Sequence, residues 1–160
     1  MSSSHSVLFV CRHNSCRSQM AEGFGRHLYG TESGAAFFSR VESAALEGQS
    51  KVNPDAIQTM KNLHIDITNQ SSKMIDVFSA SDFSIIISMC GCGATVPESW
   101  KQGKRFEDWN VVDPTGGSEH AFEVARNEIQ DRVKELVASI KEDRAPTYTL
   151  YHGDVCAMPN

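Results

Sequence analysis

A short apolar strand that runs into a cysteine and arginine loop, and then into a helix, is the feature that most limits the fold. Residues 7–10 are apolar, Cys11 follows them, and Arg17 stands six positions after the cysteine. This Cys-x5-Arg spacing lets the intervening backbone N–H groups curl round one tetrahedral oxyanion while the arginine closes the ring with its forked guanidinium. The helical pattern from residue 19 adds the positive end of a helix dipole. The segment therefore predicts a strand, an anion-binding loop and a helix in succession.

Cys11 is predicted to be an ionised nucleophile. Backbone donors, a helix N-terminus and Arg17 all favour the thiolate, so we expect its pKa to lie well below the free value of about 8.5. The alternative is a buried cysteine at the end of a strand. The other positions predicted to surround the oxyanion are Arg12, His13, Asn14, Ser15, Cys16 and Ser18.

Individual loop side chains carry separate expectations. Asn14 tolerates left-handed backbone and so helps the loop to turn. Ser18 either donates to the Cys11 thiolate or caps the helix. Because the backbone holds the anion, we expect Arg12 and His13 to face solvent, and we expect Cys16 to be a small packed residue.

Composition limits the class of protein. The 160 residues, 40% of them hydrophobic, predict one domain with its own core. We expect a cytoplasmic protein, because we find neither a signal peptide nor a run of about 18 apolar residues. A formal charge of −5 disfavours nucleic acid as a partner. In such a chain, five cysteines indicate redox or metal chemistry rather than a disulfide scaffold; they are Cys11, Cys16, Cys90, Cys92 and Cys156.

Short apolar runs alternate with helical periodicities, which predicts a single-domain α/β fold with an open, parallel, four-stranded sheet and helices on both faces. The predicted strands are 7–10, 37–45, 83–88 and 106–111, and the predicted helices are 19–29, one capped by Asn53-Pro54, and 119–141. This order fits a flavodoxin-like topology, in which ligands bind at the carboxyl ends of the strands. Cys11, Cys90 and Asp113 follow three of these strands. We predict a domain over residues 1–143 and an extended tail over 144–160.

Five stretches of sequence together resemble one family. The first, residues 7–23, reads Val-Leu-Phe-Val-Cys-x-x-Asn-Ser-Cys-Arg-Ser-Gln-Met-Ala-Glu-Gly, and the others are 52–56, 65–67, 88–93 and 106–109 with 113–114. From about Val7 to Lys141 the chain resembles the arsenate reductases built on the low-molecular-weight tyrosine phosphatase fold. The resemblance implies reduction of arsenate to arsenite, with phosphate and sulfate as competing anions and no tightly bound cofactor or metal.

The resemblance also implies a role for each candidate catalytic residue. Cys11 attacks arsenic while Arg17 holds the oxyanion, and Asp113 donates a proton. Cys90 then resolves the arsenic adduct and Cys92 closes a disulfide, although the order of Cys90 and Cys92 stays open. Asp113 precedes a proline that favours extended backbone, and an ordinary turn is its structural alternative.

The reductant is predicted from the cysteine spacing. Cys90-Gly91-Cys92 looks like the subgroup coupled to glutathione and glutaredoxin, with thioredoxin as the alternative partner. A bridge between residues two apart is strained, so glutathione should open it readily. Lys73 stands where related reductases often carry an acidic residue of a cation site, so we do not expect potassium there.

Two other functions remain open at this stage. The chain could be a phosphatase acting on phosphotyrosine or small phosphoesters, with Cys90 and Cys92 as incidental thiols. It could also be a non-catalytic module that gathers zinc or trivalent arsenic, but the cysteine pair lacks a partner pair at zinc-finger spacing. Cys156 lies outside the resemblance and is interpreted as an incidental thiol.

Overall fold

The computed structural model describes residues 4–91 and 93–152, and its centre is a parallel sheet of four strands. The strands are β1 (His5–Cys11), β2 (Phe38–Ala45), β3 (Ile85–Ser88) and β4 (Arg105–Asp108). The α-helices are α1 (Arg17–Tyr29), α2 (Pro54–Lys61) and α3 (Glu119–Lys141). The spatial order is β2-β1-β3-β4, and all three pairings are parallel. The predicted fold class is confirmed.

Strand β1 lies inside the sheet, between β2 and β3, and both of its faces are buried. Residues 7–10 have no exposed surface, which is why this strand is a continuous apolar run rather than an alternating one. Phe9 packs in one core cluster with the buried faces of α1, α2 and α3. Leu8 and Val10 pack in a second cluster on the other face, together with Trp100. Short 3₁₀ segments, such as Glu98–Trp100, provide the helical cover of this second face.

Capping residues explain the helix bounds. Helix α3 has the predicted bounds, and the Ser118 side chain accepts a hydrogen bond from the Ala121 N–H at its start. Asn53 caps α2 by accepting from the Asp55 N–H, with proline at the first helical position. Helix α1 begins at Arg17, two residues before the predicted start.

Strand β4 ends earlier than predicted. The prediction extended it to residue 111, but the strand ends at Asp108. Asn110 has left-handed backbone, with φ of 47°, and the Asp108 carboxylate accepts from its N–H. This local turn replaces regular strand geometry and starts the loop that leads to Asp113.

Residues 144–152, which we call the strap, have no regular secondary structure and lie against the body of the protein. The Tyr148 hydroxyl donates to Glu107 Oε1 at 2.6 Å, and the Tyr151 N–H donates to the Asp108 carbonyl at 2.9 Å. Leu150 packs on the main core. The predicted domain boundary at residue 143 stays a prediction, and Cys156 lies outside the described residues.

Helix length and polarity bear on membrane insertion. Within residues 4–91 and 93–152, no helix combines the length and apolar character needed to cross a bilayer.

Candidate active site

Three loops meet at the carboxyl ends of the parallel strands. The anion loop, residues 11–17, connects β1 to α1, and the cysteine loop, residues 90–93, follows β3. A hydrogen bond joins the side chains of Cys11 and Cys90. The loop after β4 contributes Asp113, whose Oδ2 lies 3.7 Å from Arg17 Nη2. The structure therefore brings together four residues for which the sequence predicted covalent, binding or proton-transfer roles: Cys11, Arg17, Cys90 and Asp113. Cys92, the fifth, lies outside the described residues.

The carbonyl groups of the anion loop all point away from its centre. Each one accepts a hydrogen bond from outside the turn or from the first turn of α1. The donors to residues 11–16, in order, are the Leu46 N–H, the Glu47 N–H, the Ser72 hydroxyl, the Gln19 amide, the Asn53 N–H and the Met20 N–H. Since no peptide bond in the described chain is cis, each N–H points opposite to the preceding carbonyl. The N–H groups of residues 12–17 are thereby turned toward the interior of the loop.

Asn14 fixes this loop from behind. Its backbone is left-handed, with φ of 52°, as its residue type predicted. The buried side-chain amide donates to Ser18 Oγ at 2.9 Å and to Ser43 Oγ at 2.8 Å, and its oxygen accepts from the Lys73 N–H at 3.0 Å. One side chain thus connects the loop to α1, to β2 and to the segment at Lys73.

The remaining polar side chains of the loop face outward. Arg12 Nε donates to Glu47 Oε2 at 3.0 Å on the surface, and His13 Nδ1 lies 3.1 Å from the Gly48 carbonyl. Ser15 donates to the Lys51 carbonyl at 2.8 Å. Arg12 and His13 are exposed, as expected, and any contact of this loop with an anion falls to the backbone and Arg17.

Cys11 and Cys90 form an unequal pair. The hydrogen bond from Cys90 lowers the pKa of Cys11 from 9.0 to about 6; burial opposes this shift, whereas the Arg17 charge and the Arg12 N–H add to it. The same hydrogen bond, together with burial, raises the pKa of Cys90. At neutral pH the pair is therefore a Cys11 thiolate and a Cys90 thiol. The sequence predicted a low pKa for Cys11 from Arg17 and backbone donors, which both contribute, but it missed the thiol donor that is the largest cause.

Cys16 differs from Cys11 although both lie in the anion loop. It is buried at the N-cap of α1, and burial raises the pKa of its thiol to about 12. Cys16 is consequently a neutral, packed side chain at physiological pH, as expected.

The loop after β4 holds Arg17 in place. Arg17 Nη1 donates to the Val111 carbonyl at 2.6 Å, which orients the guanidinium beside Asp113. The Asp113 side chain is 50% exposed. Burial raises the pKa of Asp113, but hydrogen bonds from Thr115 and the Arg17 charge outweigh it, so the pKa is lowered. Asp113 is thus a carboxylate when no anion is bound.

Asp108 is a buried carboxylate that the sequence interpretation missed. Its two oxygens accept from the Gly91 N–H at 3.0 Å and the Gly93 N–H at 2.8 Å. Burial raises the pKa of Asp108, and these N–H groups oppose that shift. An available signal was the pair of adjacent acidic residues, Glu107 and Asp108, inside a predicted strand.

A second missed carboxylate, Glu22, lies behind the anion loop. It accepts from the Ser43 hydroxyl at 2.6 Å and from Arg26 Nε at 2.8 Å. The Lys73 ammonium lies 3.7 Å from Glu22 Oε1. Lys73 therefore supplies a positive charge next to a buried carboxylate. Among the described residues, no three His, Cys, Asp or Glu side chains are grouped so as to hold a metal ion.

Comparison with known proteins places this site in a family. The pattern of the low molecular weight phosphotyrosine protein phosphatase family matches residues 6–146, and the chain belongs to that family. Within it, the chain is 45% identical to the glutaredoxin arsenate reductase of a Synechocystis strain, over 84% of this chain and 97% of that protein. It is 35% identical to an arsenate reductase of Bacillus cereus, over 84% of this chain and 95% of that protein.

A solved structure gives the same result. The protein is similar to an arsenate reductase captured in a phosphate-binding state, with a TM-score of 0.75 and 43% sequence identity. The match covers 85% of this chain and 98% of that one.

Proposed function

We propose that this protein is an arsenate reductase whose thiols are restored by glutathione and glutaredoxin. The hydrogen bond between Cys11 and Cys90 carries the proposal, because it places a second thiol against the nucleophile. A phosphatase needs one thiolate, whereas reduction of arsenate by a thiol relay needs two sulfur atoms in contact. Relatives that are named arsenate reductase, one of them glutaredoxin arsenate reductase, support this choice over a phosphatase.

Binding and attack use the anion loop. Arsenate is held by the N–H groups of the loop and the Arg17 guanidinium, and phosphate and sulfate compete because they share its tetrahedral shape. The Cys11 thiolate forms a bond to arsenic, and a hydroxyl of arsenate leaves as water with a proton from Asp113. Asp113 is a carboxylate in the empty site, but the incoming anion occupies Arg17 and adds negative charge. Both effects raise the pKa of Asp113 toward a protonated, donating state.

Reduction uses the second thiol. Cys90 attacks the Cys11 sulfur, a disulfide forms between them, and the bond between sulfur and arsenic breaks. Its electron pair stays on arsenic, which passes from As(V) to As(III) and leaves as arsenite with the proton from Cys90. Cys92 then attacks the Cys90 sulfur, which leaves a Cys90–Cys92 disulfide and restores the Cys11 thiolate.

The proposed partner and compartment follow from how the final disulfide is reduced. The final disulfide joins residues two apart, and such strained bridges are opened readily by thiols. Two glutathione equivalents with glutaredoxin reduce it, with thioredoxin as the alternative. Because a glutathione pool of this kind belongs to the cytoplasm, we assign the reaction there. The acidic charge of −5 disfavours nucleic acid as a partner, and no membrane partner is proposed.

The test is arsenite production from arsenate in two parallel reactions. One reaction contains glutathione, glutaredoxin and glutathione reductase, and the other contains thioredoxin and thioredoxin reductase. We expect turnover in the first reaction. Turnover only in the second would keep the reductase and change its partner, whereas aryl phosphate hydrolysis without arsenite in either reaction would establish the phosphatase.

Cys90→Ser is the matched variant for this test. It keeps the anion loop and the Cys11 nucleophile but removes the second sulfur. We expect it to bind phosphate and to hydrolyse aryl phosphate no more slowly than the unmodified protein, while arsenite production is lost. Arsenite production by this variant would contradict the relay.

A further inference from the structure

The cysteine loop is fastened to the sheet at two points by one side chain. Asp108, the last residue of β4, is 3% exposed, and its carboxylate receives the N–H groups of Gly91 and Gly93. In the sequence these two glycines lie on either side of Cys92, and Gly91 follows Cys90 directly. A carboxylate that accepts backbone N–H groups forms charge-assisted bonds, which are shorter and stronger than neutral ones. Asp108 thus fixes the backbone that carries Cys90.

The contact is also matched in shape. A Cβ atom added at Gly93 would lie 2.8 Å from Asp108 Oδ2 and 3.1 Å from the Phe106 ring. Gly91 has φ of 72°, a left-handed conformation that glycine adopts without strain. Gly93 therefore lets the loop approach the carboxylate more closely than a residue with a Cβ could, and Gly91 provides the left-handed backbone beside it.

We propose that Asp108 is a positioning residue, which holds the cysteine loop so that the Cys90 thiol lies against the Cys11 thiolate. This proposal rests on the proposed function, because it assigns Asp108 to the transfer from Cys11 to Cys90. Asp108 acts through the backbone of the loop and does not touch arsenate. Without the Asp108 carboxylate the loop loses two hydrogen bonds, and the Cys90 thiol is no longer held where it donates to Cys11.

The negative charge of Asp108 supports the same hydrogen bond, because it favours the protonated, donating form of Cys90. The hydrogen bond to Cys11 is the main cause that raises the pKa of Cys90, and burial and the Asp108 charge add to it. A Cys90 that stays protonated is a hydrogen-bond donor, and this donor is the largest cause of the low pKa of Cys11. Asp108 therefore affects the nucleophile without contacting it.

Asp108→Asn is the first test, since it removes the charge and keeps the size. Titration of Cys11 by thiolate absorbance should give a pKa above the value of about 6, toward the ordinary 9.0. Single-turnover release of arsenite should slow about tenfold or more, because two charge-assisted hydrogen bonds are weakened. Phosphate affinity should change less than about threefold, because the anion loop makes no contact through Asp108. An unchanged Cys11 titration in the folded variant would overturn the proposal.

Glu107→Gln is the matched control. Glu107 is the neighbouring carboxylate on β4 and is equally buried, but it accepts from Arg105, Trp109 and Tyr148 instead of from the cysteine loop. We expect it to lower stability and to leave the Cys11 titration unchanged. An equal rise in the pKa of Cys11 in both variants would show a general loss of stability and would also overturn the positioning role.

A second variant protects the test from misfolding. Gly93→Ala should displace the Asp108 carboxylate by contact and raise the pKa of Cys11 in the same way. Gly34→Ala is its control, because a Cβ there meets no atom within 4 Å. In the unmodified protein, the Gly91 and Gly93 amides should exchange slowly with deuterium, and fast exchange at both would overturn the proposal even if neither variant folds.

The titration separates this proposal from the proposed function because it needs no arsenate. If the protein does not reduce arsenate but Asp108→Asn still raises the pKa of Cys11, the proposed function is refuted and the positioning role of Asp108 stands. If the protein reduces arsenate but Asp108→Asn leaves the pKa of Cys11 unchanged, the proposed function stands and the positioning role is refuted.

Discussion

The anion loop and the cysteine loop are held in opposite ways. Six carbonyl groups of the anion loop accept bonds from its surroundings, and Asn14 adds three further bonds from behind. In the described part of the cysteine loop, the N–H groups of both glycines donate to one side chain, the Asp108 carboxylate. Donors that stabilise an anion must be fixed before the anion arrives, whereas a disulfide relay needs backbone that can move. The anion loop is therefore held by many separate partners, whereas a single carboxylate receives both glycine N–H groups of the cysteine loop.

The largest effect should come from Cys11→Ser, which removes the chemistry of the anion loop and keeps its shape. We expect arsenite production to fall by roughly a thousandfold or more, because a serine hydroxyl is not ionised at neutral pH. Phosphate affinity, measured by calorimetry, should stay within about threefold because the loop N–H groups are unchanged. Cys16→Ser is the control and should retain turnover. Substantial turnover by Cys11→Ser would remove Cys11 from the nucleophile role.

Arg17→Lys should weaken anion binding by the anion loop without disturbing the cysteine loop. Lysine cannot reproduce the planar fork that contacts Val111 and approaches Asp113. We expect the phosphate dissociation constant to rise about 10- to 100-fold. Arg12→Lys should change it less than about threefold, because the exposed Arg12 side chain forms only a surface ion pair with Glu47. Phosphate binding that neither substitution weakens would show that positive charge alone, rather than the guanidinium geometry of Arg17, holds the anion.

The pH dependence of alkylation should distinguish the two cysteines directly. Cys11 has a lowered pKa of about 6, so it is a thiol below that pH and a thiolate above it. Its rate with iodoacetamide should rise about tenfold per pH unit below pH 6 and level off above pH 7. Cys90, whose pKa is raised, should react slowly throughout this range. Peptide mass spectrometry measures both, and a Cys11 rate that climbs to pH 9 would contradict the unequal pair.

Removal of the strap should have the smallest effect on turnover. A chain ending at Asp143 loses the partly buried Tyr148 ring, its bond to Glu107 and the Leu150 contact. We expect the free energy of unfolding to fall by about 2–4 kcal/mol, and turnover at 25 °C to stay within about threefold. Tyr148→Phe is the partial control and should cost about 1 kcal/mol. Denaturant unfolding measures the free energy of unfolding of both variants. A large loss of turnover in the truncated chain would show that the tail takes part in the chemistry.

The parts of this structure that depend on local pattern could be predicted. The continuous apolar run at 7–10 predicted the first strand, and the helical periodicity over 119–141 predicted the last helix with its bounds. The left-handed Asn14 followed from its residue type and its place in a tight loop. These features depend on residues close together in the sequence.

The features that were missed depend on contacts between distant residues. Asp108 bonds to glycines 15 and 17 positions away, and strand periodicity says nothing about such partners. The Cys90 donor to Cys11 arises because β1 and β3 are neighbours, which places their ends side by side. The packing of the strap had a weak signal in the alternating apolar residues Tyr148 and Leu150, but nothing in the sequence specified the edge of β4 as their site.

The strap also affects how this protein meets its own copies. Strand β4 is an edge strand, and such strands carry backbone groups that can pair with another chain. The Tyr151 N–H occupies the Asp108 carbonyl on β4, and the family match ends at residue 146, before this contact. Detachment of the strap would leave a pairing surface at the side of the sheet that carries Asp108. The strap thus occupies a backbone acceptor through which a second copy could pair along β4.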